Sequence, residues 1–381
     1  MFNIIDKIRE IKLPFLSNFQ LYVDFGTSFT RIAIKDKGVV LNEPTILGLN
    51  TKSNEFLFFG AEAKKIIGKV PDFIKIIKPI ISGTINDFDA QLALTKRLIE
   101  TALSPYIKNF SIMMPSISAI ASVPYMATEI EQRALEEVLK KAGVNYISLI
   151  EKPVATAIGC GFSVFEHDPV FIVDMGGGLI EMAILSGGGV VVQKTLKMAG
   201  DNMNKIIYNY SYLKNGIILG ETTCEDIKLK LLNFDNSEKT LIVRGKSLEN
   251  GLPKTVKITT SDIQEALSTN FSQIVDGIKE LVEQALPEIV DDVYEKGIIL
   301  TGGISNVPGI AKFFEDELKI KVKLSENPNM STVNGLVRIG RRKEMINRLK
   351  IHLDDGFPFF AVCFFDRRFN KLDGLVFRKN S

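Results

Sequence analysis

Histidine and cysteine are scarce in this sequence, and their scarcity removes whole classes of chemistry. There are two histidines, His167 and His352, and His167 sits in the polar turn FEHDP. A Ser-His-Asp hydrolase or a histidine-rich metal site has very little to work with. The three cysteines, Cys160, Cys224 and Cys363, form no CxxC pair and no metal-ligand spacing, and their count is odd. A reduced, cytosolic compartment fits best. Neither sign of charge dominates, since 47 basic residues face 45 acidic ones for a formal net charge of +2. That balance excludes a general nucleic-acid binder, which would carry a basic excess or stripe. The densest basic cluster, RIGRRK with Arg338, Arg341, Arg342 and Lys343, is short and reads as a solvated helix face rather than a phosphate or lipid site. Long apolar runs are also missing. No stretch approaches the roughly 20 residues that span a bilayer, and the first residues, MFNIIDKIREIKLPFL, are too broken by charge for a secretory signal.

What is present is an ordinary globular composition over 381 residues, 45% hydrophobic and 24% charged, enough for two domains or two halves of one body. Residues 19–49 read as successive strands, FQLYVDF, TRIAIK, GVVLNEP and TILGL, rich in β-branched residues and broken by Gly38 and Pro44. Residues 89–104 have helical spacing with Asp89 as a candidate cap. SAIASVP reads as a buried strand, ATEIEQRALEEVLKKAG as a helix ended by Gly143, and YISLIEKPVATAIGCG as a strand running into a helix. The second half repeats the theme. PVFIVDMGGGLIEMAILSGGGVVVQKTLKM is again three strands, a long helix follows with Ser261 or Asp262 near its start, and GIILTGGISNVPGI is a strand, a glycine corner and a helix. The alternation predicts an α/β fold with helices on the sheet faces. Its repetition predicts an internal duplication with a cleft between the halves.

The two halves open alike. LYVDFGTSFTRIAI carries Asp24 before Gly26, and FIVDMGGGLIEMAI carries Asp174 before Gly176. Glycine at a strand end lets successive backbone N–H groups approach phosphate oxygens, and neighbouring hydroxyls add to the cradle. A carboxylate cannot hold phosphate itself, but it can hold a bridging cation, and Mg²⁺ keeps several of its waters while doing so. Asp24 and Asp174 are therefore candidate holders of a hydrated Mg²⁺. Gly26, Thr27, Ser28 and Phe29 would wrap a polyphosphate from one side and Gly176, Gly177 and Gly178 from the other. One Asp-x-Gly corner is weak evidence. Two copies between β-branched runs, plus a third corner at Thr301-Gly302-Gly303, are a specific constellation.

Taken with GVVLNEPTI, GTINDFD, ASVP, LIEKPVATAIGCG, AGDNMNKII, GETTCEDIK and LTGGISNVPGI, in that order over roughly residues 19–340, the chain resembles the actin-like ATPase superfamily and within it the bacterial MreB family. The resemblance implies an actin-like fold: two duplicated ribonuclease-H-like domains, four subdomains, and a cleft holding ATP or ADP with Mg²⁺. The implied division is an N-terminal amphipathic segment at 1–18 and domain I at 19–163, with a small subdomain near 50–88. Domain II spans 164–335, with a small subdomain near 202–260, and 336–381 returns to domain I and ends in a Phe-rich tail. It further implies that Gly26–Ser28 and Gly176–Gly178 meet the β- and γ-phosphates, and that Gly302, Gly303 and Ile304 lie against the adenosine. Glu225 and Lys228, at i and i+3, would reach the ribose.

Two positions depart from the family pattern. Where the family reads Glu-Glu-Pro, this chain reads Glu151-Lys152-Pro153, so Lys152 replaces the glutamate that orients the attacking water. Leu179 replaces the threonine that usually follows the third glycine. A protonated lysine cannot accept the water's proton. Glu151 is turned by about 100° along a helix from that position. Slow or absent hydrolysis is the expectation, with Lys152 pairing the γ-phosphate; the alternative is that Lys152 swings into solvent and Glu151 or another group substitutes for the missing glutamate.

Further expectations concern surfaces. Residues 1–13 read as an amphipathic helix ended by Pro14, either packed on the body or lying in a membrane interface. Relatives often carry an apolar membrane loop where this chain has Met113 and Met114, within 110–115. The resemblance implies self-assembly into filaments, co-assembly with MreB-family paralogues, and a cytoplasmic location at the inner face of the cell membrane in the service of cell shape. A sugar-kinase-like enzyme of the same superfamily and a static nucleotide-bound membrane scaffold are the alternatives.

Overall fold

The structure, a computed structural model, describes residues 18–107 and 116–351. The segments at 1–13 and 110–115, the Phe-rich tail, His352 and Cys363 lie outside the described residues.

Two five-stranded sheets share one topology. In the first, Asn18–Phe25, Phe29–Ile34 and Gly38–Pro44 form an antiparallel meander. Ser116–Val123 then pairs in parallel with the first of these, and Tyr146–Glu151 in parallel with Ser116–Val123. In the second, Val170–Met175, Ile180–Ser186 and Gly189–Leu196 form the meander. Ile298–Thr301 and then Val322–Leu324 extend it in parallel. The repeat seen in the sequence is thus a repeat of strand order and direction. Central parallel strands are covered on both faces, so they read as continuous apolar runs, such as AIASV and IILT, rather than as alternation.

Two smaller three-stranded sheets accompany the large ones. Leu47–Asn50, Glu55–Phe59 and Ile74–Ile77 form one, and Ile217–Ile218, Thr240–Ser247 and Pro253–Thr259 the other.

Helix starts are set by side chains that satisfy the free N–H groups of the first turn. Asp87, not Asp89, caps Phe88–Leu103, accepting from the Ala90 N–H. Asp89 falls inside the first turn. Thr128 and Glu131 close a capping box on Glu129–Lys141. The long helix Thr260–Glu283 is capped by Thr259, with Asp262 as its reciprocal partner. Ser261 plays no part in that cap. In each case the choice among adjacent polar residues depended on backbone direction, which composition does not reveal.

The halves meet through two helices, Lys152–Gly159 and Ser331–Gly340. They share one apolar core with both large sheets, including Tyr22 and Ile150 from the first and Ile172 and Leu185 from the second. Their backbones touch. A Cβ on Gly159 would stand 1.7 Å from the Ser331 carbonyl oxygen, and one on Gly335 equally close to that of Ala155. Thr156 and Thr332 exchange a buried hydroxyl hydrogen bond at 2.9 Å. Arg338 donates to the Ile158 carbonyl at 2.6 Å, so one member of the basic cluster belongs to this crossing rather than to open solvent. The crossing holds the first residue of the Lys152–Gly159 helix between the sheets. Among the described residues no helix is long and apolar enough to cross a membrane.

Candidate functional site

Both acid-glycine corners are the same turn. After the first strand, the Gly26 N–H donates to the Phe29 carbonyl at 3.1 Å, and after its counterpart the Gly176 N–H donates to Leu179 at 2.9 Å. The turns face each other across the halves. A Cβ on Gly177 would lie 1.9 Å from the Ser28 hydroxyl oxygen, and one on Gly178 2.2 Å from that of Thr27. Only glycine permits this approach. Thr27 also accepts from the Gly83 N–H at 3.0 Å, and Thr45 donates to the Gly26 carbonyl at 2.8 Å, which stiffens the first turn. Arg31 and Lys64 both approach the Phe29 ring, 5.8 and 5.4 Å from its centroid.

Asp24 and Asp174 are both buried, at 4% and 7% exposure. Asp24 accepts from the Ser122 hydroxyl at 2.9 Å and pairs with Arg31 at 3.2 Å. Asp174 pairs with Lys152 at 2.8 Å, and the same ammonium reaches Glu181 at 2.9 Å. Lys152 therefore comes from the first half and neutralises two carboxylates of the second. Burial by itself would lower its pKa. The charges of Asp174, then Glu181 and Asp24, outweigh burial and hold it well above the ordinary lysine value. Of the expected placements, the swing into solvent is not the one observed. Its side chain is 19% exposed and engaged with carboxylates, not swung into solvent.

Leu179 is buried against Gly83 of the first half, where a Cβ on that glycine would stand 2.7 Å from the leucine side chain. Glu151 precedes the helix without a side-chain capping bond, and burial raises its carboxyl pKa.

The remaining sequence candidates gather around the second corner. The Gly200 and Asp201 N–H groups, at the start of helix Gly200–Asn215, donate to the Gly176 and Gly177 carbonyls at 3.2 and 2.8 Å. Lys228 donates to the Gly200 carbonyl at 3.0 Å and pairs with Glu225 at 2.8 Å, and Asn204 holds the same carboxylate oxygen. Gly302 has φ +84 and lies against Asp174, where a Cβ would stand 2.4 Å from a carboxylate oxygen. Gly303 opens the short 3-10 turn that follows, in which Ile304 is buried.

Sequence reasoning missed Arg31, Ser122, Glu181 and the ion pair of Lys78 with Glu221 that links the halves. A signal for two of these existed. Arg31 follows Asp24 by seven residues and faces it across the hairpin. Glu181 has the same offset and the same cross-strand position opposite Asp174.

A family model described as MreB/Mbl protein matches residues 18–348. The chain belongs to the MreB/Mbl family. The cell shape-determining protein Mbl of Bacillus subtilis is 33% identical over 308 residues, covering 80% of this chain and 91% of Mbl. The cell shape-determining protein MreB of Escherichia coli K12 is 33% identical over 333 residues, covering 86% and 94%. The crystal structure of MreB 5 of Spiroplasma citri bound to AMPPNP superposes with a TM-score of 0.79 at 27% identity, covering 85% of this chain and 96% of that one. A MamK double helical filament, at 17% identity and a TM-score of 0.71, shares the fold. The fold of this MreB/Mbl chain is therefore actin-like, as its motifs implied.

Proposed function

We propose that this MreB/Mbl protein binds ATP or ADP between its two glycine corners and assembles with copies of itself into filaments that organise cell shape, with slow or absent hydrolysis. The observation that carries the reading is the pair of mirrored turns, Gly26–Ser28 and Gly176–Gly178, meeting face to face beside two buried aspartates. Backbone N–H groups of both turns, with the Thr27 and Ser28 hydroxyls of the first, would form a cradle for phosphate oxygens. Gly302, Gly303 and Ile304 would take the adenosine, and the Glu225–Lys228 pair the ribose. The family relatives are named for cell shape, and one solved neighbour is a filament.

Slow hydrolysis rests on Lys152 and Leu179. An ammonium has no lone pair to accept a proton from water, and the leucine side chain has no group to orient it. Phosphate release by purified protein tests this. Wild-type turnover is expected to be slow, and Lys152→Glu with Leu179→Thr to raise it at least tenfold. Fast wild-type release, or no gain in the double variant, overturns it. Filaments seen by electron microscopy with ATP but lost with ADP support a dynamic polymer. Filaments indifferent to nucleotide favour the static scaffold.

Membrane association rests on residues 1–13 and 110–115, by composition alone. Co-sedimentation with anionic liposomes that survives deletion of 1–13 would remove the N-terminal helix as an anchor.

A further inference from the structure

The family resemblance implies a magnesium ion held through water by Asp24 and Asp174, and the residues present do not fit one. Hydrated Mg²⁺ needs carboxylate oxygens free to accept from its waters. Asp24 commits one oxygen to the Ser122 hydroxyl at 2.9 Å and the other to Arg31 at 3.2 Å. Asp174 carries the Lys152 ammonium on one oxygen at 2.8 Å, and its other oxygen lies tight against Gly302. Among the described residues no group of three or more His, Cys, Asp or Glu is placed to hold a metal directly.

A carboxylate oxygen can accept two hydrogen bonds, so charge decides the matter. Three carboxylates, Asp24, Asp174 and Glu181, face two tethered cations, Arg31 and Lys152. A glutamate at 152 would set four carboxylates against one guanidinium. Lysine differs from that arrangement by two unit charges, the charge of one divalent ion. A metal ion brought beside the carboxylates would meet this ammonium as a like charge in a site of low dielectric. The helix crossing at Gly159 and Gly335 keeps Lys152 between the halves, so its charge cannot diffuse away.

We propose that the Lys152 ammonium takes the place of the metal, so that this chain binds its nucleotide as the magnesium-free anion. The proposal rests on the nucleotide-binding reading above and adds what balances the charge there.

Isothermal titration of the full-length protein with AMPPNP, in excess Mg²⁺ and in EDTA, tests it. The two wild-type dissociation constants are expected to agree within threefold, and a weakening beyond threefold in EDTA overturns the proposal. Lys152→Glu is expected to bind at least tenfold more weakly in EDTA than in Mg²⁺. Lys152→Arg, which keeps the charge, is expected to remain within threefold. A Lys152→Glu protein equally tight in both buffers, or a Lys152→Arg protein that needs the metal, overturns the assignment to Lys152. The wild-type comparison stands by itself if a variant fails to fold. No binding in either buffer ends the nucleotide reading and the proposal with it, whereas binding only in Mg²⁺ ends the proposal alone.

Discussion

Asp24 and Asp174 end equivalent strands of equivalent sheets, yet one faces an arginine across its hairpin and the other faces a glutamate. The first corner is therefore neutralised within its own hairpin, by Arg31. The second sets like charges opposite each other, which is destabilising in a sheet, and draws its counterion from the other half of the molecule. One backbone turn, used twice, has acquired two charge economies. The self-contained corner can form whenever its half forms. The dependent corner is complete only when Lys152 is delivered by the helix crossing. An ion pair that joins the halves links the charge of the site to their docking.

The largest test of this contrast is truncation of the two cations. Lys152→Ala leaves Asp174 and Glu181 buried without their cation and is expected to cost about 3–5 kcal/mol, as breaking a buried pair does. Arg31→Ala leaves Asp24 its Ser122 hydrogen bond and is expected to cost about 2 kcal/mol. Urea unfolding of both variants measures the difference, and equal losses would erase the distinction between the corners. A smaller effect separates the turns themselves. A Cβ on Gly26 would lie 2.6 Å from the Phe29 carbonyl oxygen, and one on Gly176 2.9 Å from that of Leu179. Gly26→Ala is expected to destabilise more than Gly176→Ala, by about 1 kcal/mol within the usual range for overpacking. The reverse order would mean that the first turn relaxes more easily than its hydrogen bonds to Thr45 suggest.

Much of the fold was legible in the chain. Strands such as FIVDM and IILT announce themselves because buried parallel strands need no polar alternation. The corners were legible because only glycine lets two turns approach so closely. The cap of Phe88–Leu103 falls two residues from the sequence candidate, at Asp87 instead of Asp89, while the expected start of the long helix near Ser261 or Asp262 holds with Thr259 as its cap, because several polar neighbours could cap and only backbone geometry selects one. The partner of Lys152 was not legible, since a lysine's reach covers phosphate, solvent and carboxylate alike.

The order of residues alone determined that two Asp-x-Gly turns would close two like-built sheets, because local hydrophobic pattern and glycine chemistry act over a few residues. It also determined that position 152 carries a cation. Only the tertiary structure decided what that cation does. Two helices with glycines at their contact bring an ammonium from one half within 3 Å of two carboxylates from the other. That encounter joins residues far apart in the chain, and it exists only once both halves have packed.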